Sequence, residues 1–366
     1  MPIQVNELPC QSGVIGVLTL DSPASLNALS EDMIDDMQAA LDRWEQDPRV
    51  CLVLLDAAGE RGFCAGGNIV ALYQAISTGD VDTPQRFFSK EYRLIHHLHR
   101  FAKPVVGWAQ RVVMGGGMGL LSACRYRLVT PDLMMAMPEI SIGLFPDVGA
   151  SWFLNRLPAG LGLFLGLTGA RLNATDALRV GLADFAVVAD RKAALLDQLQ
   201  SQSWTGNVAG DDNRLHRLLN RLEGPAAAEL PASRLADHEQ RIAYLCRQGE
   251  LPDIVDRLLS EAVDDDWWQA SMANLRAGCP MTAWLVSEQL QRAQQMSLKD
   301  ILTMELAMAL NCCQRTDLPE GIRARLVERD QNPQWRDHSV RAVAPDAVAA
   351  HFMPPWAEGD CPLQLD

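Results

Sequence analysis

Two carboxylates, Glu139 and Asp147, stand in an otherwise apolar stretch, MAMPEISIGLFPDVG from Met135 to Gly149. Desolvating an ionised carboxylate costs free energy unless it is paired, hydrogen-bonded or protonated. Either both acids face water, or the site uses their unfavourable surroundings. Pro138, Gly143, Pro146 and Gly149 rule out one regular helix across the stretch, so the acids fall on an ordered loop and a turn. Met135, Met137, Ile140, Ile142, Leu144 and Phe145 favour burial over two solvated acids. A partly buried glutamate with a raised pKa can act as an acid, a base or, once ionised, a nucleophile.

Two glycine-rich turns stand upstream, CAGGN at Cys64–Asn68 and GGGMG at Gly115–Gly119. Each follows an apolar strand-like run and precedes a helix. Glycine lets backbone N–H groups face a ligand with no Cβ in the way, and a helix N-terminus offers unsatisfied donors. Brought together, the two turns could make a two-donor oxyanion hole; taken singly, each is a tight turn. A dinucleotide site is the rival use. It needs G-x-G-x-x-G and an acid about 20 residues on. GGGMGL puts Leu120 where the third glycine should be, and Asp132 follows the next strand.

No G-x-S-x-G elbow and no phosphate-binding loop of the Walker type is present. His96 and His99 in HHLH are two ligands without a third, a poor metal site. Cys64 has no histidine fixed near it by spacing, which suits a small packed side chain better than a nucleophile.

The elements that must hold these residues read as alternating strand and helix. VIGVLTL (Val14 to Leu20), VCLVLLDA (Val50 to Ala57), KPVVGWAQ and RYRLVT are strand-like, the second apolar enough to be covered on both faces. Ser30 is placed to cap a helix over SEDMIDDMQAALDRWEQDP. This places the first half in the α/β class. After about Gln200, SQSWTGNVAGDDN reads as a linker or surface loop, and the rest is helical, including SRLADHEQRIAYLCRQ and SLKDILTMELAMALNCCQ. In the last, Leu298, Ile301, Leu302, Leu306, Ala309 and Leu310 form one apolar face. The expected division is therefore an α/β core over 1–200 and a helical region over 201–366 packing on it.

The chain has 366 residues, 48% hydrophobic and 21% charged, enough for a sizeable core. Its net charge of -14 argues against nucleic acid or an anionic membrane as partner, while a few local cations could still hold an anionic small ligand. Nine cysteines, an odd number without a C-x-x-C pair, read as reduced intracellular thiols. No signal peptide or membrane-spanning run is visible, and the expected compartment is the cytoplasm.

FCAGGNI, MGGGMGL and MPEISIGLFPDVGASWFLNRLP resemble the crotonase (enoyl-CoA hydratase/isomerase) superfamily, and LTGARLNATDALRVGLADF continues the likeness. SLKDILTMELAMALNCCQRTDLPEGIRARLVERDQNPQW, absent from ordinary hydratases, resembles the 3-hydroxyisobutyryl-CoA hydrolase branch. The resemblance implies an α/β spiral of ββα units and an acyl-CoA thioester substrate, with no metal and no cofactor beyond the CoA that is part of the substrate. It implies an oxyanion hole from the N–H groups of Gly67 and Gly116. Glu139 matches the catalytic glutamate, and Asp147 the second acid, which orients the acyl group and its 3-hydroxyl. Crotonase relatives often assemble as trimers, so a homo-oligomer is expected.

Three positions depart from the pattern. Gly119 stands where a hydratase carries its second glutamate, Asn68 where aspartate is common, and Gln74 where a substrate-binding glutamate is expected. The Gly119 departure favours thioester hydrolysis, as in valine breakdown, over water addition. The alternatives are an enoyl-CoA hydratase or isomerase of the same fold, a non-catalytic CoA-ester binding protein and, last, a nucleotide-dependent oxidoreductase.

Overall fold

A computed structural model describes residues 2–247 and 249–365. Met1, Gln248 (the end of one expected helical stretch) and Asp366 lie outside the described residues. Strands β1 (Ile3–Cys10), β2 (Gly13–Leu20), β3 (Val50–Ala57), β4 (Gly62–Cys64), β5 (Val105–Ala109), β6 (Val112–Met114), β7 (Tyr126–Val129), β8 (Met134–Ala136) and β9 (Phe185–Ala186) form two sheets. The larger has the order β1-β2-β3-β5-β7-β9 and the smaller β4-β6-β8. β1 and β2 form an antiparallel hairpin; from β2 onward the large sheet is parallel, with Val17 opposite Leu54 and Leu54 opposite Val106. β3 is almost wholly buried, which accounts for its unbroken apolar run.

The chain repeats one unit: a strand of the large sheet, a short strand of the small sheet, then a helix or helical turn. β3 and β4 lead to α2 (Ile69–Ser77), β5 and β6 to α4 (Gly116–Ala123), and β7 and β8 to a 3₁₀ turn at Glu139–Ile142. This is the expected ββα spiral. Gly67, Gly116 and Glu139 each fall two or three residues beyond the carboxyl end of a strand of the small sheet.

The chain separates into two compact units. The first is Met1–Gly67, Leu94–Met135 and Leu172–Arg234; the second is Asn68–Arg93, Ala136–Arg171 and Leu235–Asp366. In the first, α1 (Glu31–Gln46) is capped as expected, the Ser30 hydroxyl accepting the Met33 N–H. One face of the large sheet (Ile15, Val17, Leu52, Leu54, Val106, Trp108) is covered by helices Lys192–Ser201 and Val208–Glu223. Leu215, Leu218, Leu219 and Leu222 supply the second helix's stripe.

The break in texture near residue 200 is thus not where the units divide. The expected linker holds buried Trp204 and buried Asp211, which accepts N–H groups of Thr205 and Gly206, and its latter part is already helical. Asn207 caps that helix. Among the described residues after Ser201, all regular structure is helical.

The second unit is built of helices. Phe164, from Leu161–Thr168, lies 5.7 and 5.5 Å from the rings of Trp267 and Trp268. α3 (Asp82–Arg100) gives this unit its first twelve residues, including Glu91 and Tyr92. Among the described residues, no helix is long and apolar enough to cross a membrane.

Candidate active site

In the second unit, Glu139 opens the 3₁₀ turn Glu139–Ile142, after Pro138 and before Gly143. The N–H groups of Gly143 and Leu144 both return to the Glu139 carbonyl. The turn closes because Gly143 is left-handed, with φ 76°. Asp147 lies four residues further on, in a turn closed by the Ala150 N–H on its carbonyl at 2.9 Å. Both acids are buried, with 6% and 5% of their surface exposed, so neither is solvated. Met135, Met137, Ile140, Leu144 and Phe145 are buried with them.

The two acids are treated differently. Asp147 Oδ2 accepts a 2.7 Å bond from the buried Tyr92 hydroxyl. Burial pushes the Asp147 carboxyl up to about 6, against the pull of that bond. Glu139 has no such donor: its Oε2 is buried and unpartnered. Burial, then the Asp147 charge, lifts it well above the ordinary glutamate range. A carboxylate so placed is more basic than one in water and meets the reaction without a hydration shell to shed.

The structure adds a third acid. Glu91 on α3 is 2% exposed with Oε1 unpartnered, and burial, then the charges of Asp147 and Glu139, raise it well above its usual value. The three carboxyls therefore titrate as a group. Gln74, by contrast, lies exposed on α2. The glutamate expected at its place is lacking, and the buried cluster takes its third acid from Glu91. A sequence signal existed: Phe88, Glu91, Tyr92, Ile95 and Leu98 share the buried stripe of α3, and an acid there is out of place.

A fourth buried acid, Glu305, is fully paired. Its oxygens accept the N–H groups of Gly149 at 2.7 Å and Ser151 at 3.0 Å. Burial nonetheless holds its carboxyl up at about 8.

The first unit carries the glycine turns, and it brings them together. β4 and β6 are parallel neighbours. A Cβ on Gly66, at φ 110°, would lie 3.6 Å from the Gly116 nitrogen, and one on Gly117 would strike the Cys64 carbonyl at 2.5 Å. Glycine at 117 is thus what lets the loops meet. Gly116 is the first residue of α4, so its N–H has no acceptor within the helix. Gly67 bridges Leu29, but that bond runs from the Leu29 N–H to the Gly66 carbonyl and takes no donor from Gly67. Cys64 is buried, its thiol turned to the Gly66 backbone. Asn68 caps α2, accepting the Ala71 N–H, a task asparagine and aspartate perform alike.

Asp132, the acid a dinucleotide site would use, is taken up by Arg111 at 2.8 Å and Thr130 at 2.5 Å. Among the described residues, no three His, Cys, Asp or Glu side chains are grouped to hold a metal.

The model of a family described as enoyl-CoA hydratase/isomerase matches residues 15–352. A curated relative named 3-hydroxyisobutyryl-CoA hydrolase, mitochondrial, from Xenopus tropicalis is 34% identical over 93% of this chain and 87% of its own length. A crystal structure titled enoyl-CoA hydratase, from Rhodobacter sphaeroides 2.4.1, matches with TM-score 0.83 and 32% identity over 97% of this chain and 98% of that one. One titled carnitinyl-CoA dehydratase, from Mycobacterium thermoresistibile, matches with TM-score 0.84 and 33% identity over 96% of each.

Proposed function

The chain belongs to the enoyl-CoA hydratase/isomerase family, and from that premise we propose that it hydrolyses 3-hydroxyisobutyryl-CoA to 3-hydroxyisobutyrate and CoA, a step of valine breakdown. The observation that carries the reading is Glu139: a buried carboxylate with an unpartnered oxygen, beside a second acid held by Tyr92. The curated relative of that name supports the substrate. The N–H groups of Gly67 and Gly116 stabilise the negative charge that develops on the thioester oxygen. Glu139 drives loss of the thiolate by one of two routes. It attacks the thioester carbon to give an acyl anhydride that water then opens, or it takes a proton from the attacking water. Where water opens the anhydride at the Glu139 carbonyl, a single turnover in oxygen-18 water leaves label in the Glu139 carboxyl, which the second route never does. Asp147 accepts a hydrogen bond from the 3-hydroxyl and orients the acyl group. The reaction needs no metal and no redox cofactor.

One observation favours a second reading. Hydration of an enoyl-CoA calls for two glutamates, and although Gly119 lacks one, Glu91 lies in the same buried acid cluster as Glu139. Thiol titration decides. Release of CoA from 3-hydroxyisobutyryl-CoA is expected; hydration of crotonyl-CoA with no thiol released would replace the hydrolase by a hydratase. Binding of CoA esters with neither turnover would make the chain a binding protein. The nine cysteines are free thiols, which suits a reducing compartment. We place the chain in the cytoplasm as a homo-oligomer. Cell fractionation tests the first against the mitochondrial location in the relative's name, and sedimentation tests the second.

A further inference from the structure

We propose that Glu305 is a positioning residue that holds the turn carrying Asp147, so that the C-terminal helix Leu298–Cys313 takes part in acyl-group selection; this rests on the reading of Asp147 as the acid that orients the substrate hydroxyl. The turn is strained. Val148 and Gly149 are both left-handed, with φ 55° and 83°. Glycine adopts that conformation freely, but a β-branched valine does so only when its surroundings impose it.

Three side chains impose it here. Glu305 accepts the Gly149 and Ser151 N–H groups, Gln289 Nε2 donates to the Pro146 carbonyl at 2.8 Å, and Tyr92 holds the Asp147 carboxyl itself. Glu305 is fully buried on a helix whose neighbouring inward residues are apolar, among them Leu298, Ile301, Leu302 and Leu306. Burying a carboxyl there is costly, and a plain packing position would be filled by another leucine. Its two oxygens meet the donors on either side of Ala150, so one side chain fixes both the end of the turn and the start of the following helix. Freed of that clamp, Val148 relaxes toward ordinary backbone angles, and Asp147, its immediate neighbour, turns with it.

The test compares the wild-type chain with Glu305→Gln and Glu305→Ala. One readout is kcat/KM for CoA release from 3-hydroxyisobutyryl-CoA against isobutyryl-CoA, which lacks the hydroxyl. The other is amide hydrogen exchange of the segment 146–154. Glutamine keeps the volume but presents only one acceptor, so it weakens the clamp with least disturbance to the packing, and it keeps the test readable should the alanine variant not fold. The expected result is a loss on the order of tenfold in preference for the hydroxylated ester, the scale of one hydrogen bond to a charged group, with faster exchange confined to the turn. Equal losses on both esters, or unchanged preference with unchanged exchange, would overturn the proposal. If the wild-type chain hydrolyses neither ester, the hydrolase reading fails instead. The clamp then stands or falls on whether exchange at 146–154 rises in Glu305→Gln.

Discussion

Tyr92→Phe deletes one oxygen atom and tests how the acid cluster is set. The Tyr92 hydroxyl donates to Asp147 at 2.7 Å with both residues buried. That bond favours the ionised carboxylate, and burial opposes it, leaving Asp147 at about 6. A hydrogen bond to a charged group contributes about 1.5–3 kcal/mol. One pKa unit corresponds to about 1.4 kcal/mol, so losing the bond moves the titration up by roughly one to two units. At neutral pH the ionised fraction of Asp147 then falls from roughly nine-tenths to between a half and a tenth. The assay is the pH dependence of kcat/KM for CoA release. The acid limb moves up by about one to two units, and the two enzymes converge within a few-fold on its alkaline side. The limb belongs to the coupled carboxyls, so Asp147→Asn is run alongside to assign it. A uniform drop at every pH, or superimposable profiles, would refute the reasoning.

Three further outcomes follow from the geometry. Asp147→Asn lowers turnover of 3-hydroxyisobutyryl-CoA more than of isobutyryl-CoA; equal losses would make Asp147 a general support of the site. A Cβ at Gly321 would lie 2.3 Å from the Ile142 backbone, so Gly321→Ala forces the Glu139 turn to shift and costs about 1–3 kcal/mol in denaturant unfolding; an unchanged midpoint would contradict the packing. Glu305, at about 8 in the folded chain, holds a proton there that the unfolded chain has lost above its ordinary value of 4.5. Its stabilisation is complete below 4.5, declines as pH rises at up to about 1.4 kcal/mol per unit, and is gone above about 8. The stability difference between wild type and Glu305→Gln therefore shifts against the wild type across that window, and a pH-independent difference would show that Glu305 does not titrate there.

The sequence exposed the two acids of the loop because prolines, glycines and large apolar residues surround them so tightly that both solvation and a regular helix are implausible from local pattern alone. It exposed β2 and β3 because their apolar runs are long, and β5 and β7 because each lies inside a longer strand-like stretch, KPVVGWAQ and RYRLVT. β4, β6 and β8 have three residues each, too few for any periodicity to register, yet Gly67, Gly116 and Glu139 follow directly upon them. Glu91, Tyr92 and Glu305 were hidden differently. On amphipathic helices an acid is unremarkable unless the buried stripe is traced residue by residue, and which donors Glu305 meets 154 and 156 positions away is fixed only by tertiary packing. The change of composition near residue 200 marks where strands give way to helices, not where the compact units divide, because the leucine stripe of Val208–Glu223 completes the core of the strand-rich unit.

The central claim is that Glu139 is kept buried with one oxygen unpartnered for thioester hydrolysis, and Glu139→Gln tests it most directly by free-thiol titration with 3-hydroxyisobutyryl-CoA, alongside thermal unfolding. Glutamine preserves the shape and removes a desolvated acid next to Asp147. The account predicts that thiol release falls to background while the unfolding temperature stays level or rises. Near-wild-type release from a folded Glu139→Gln protein would contradict it.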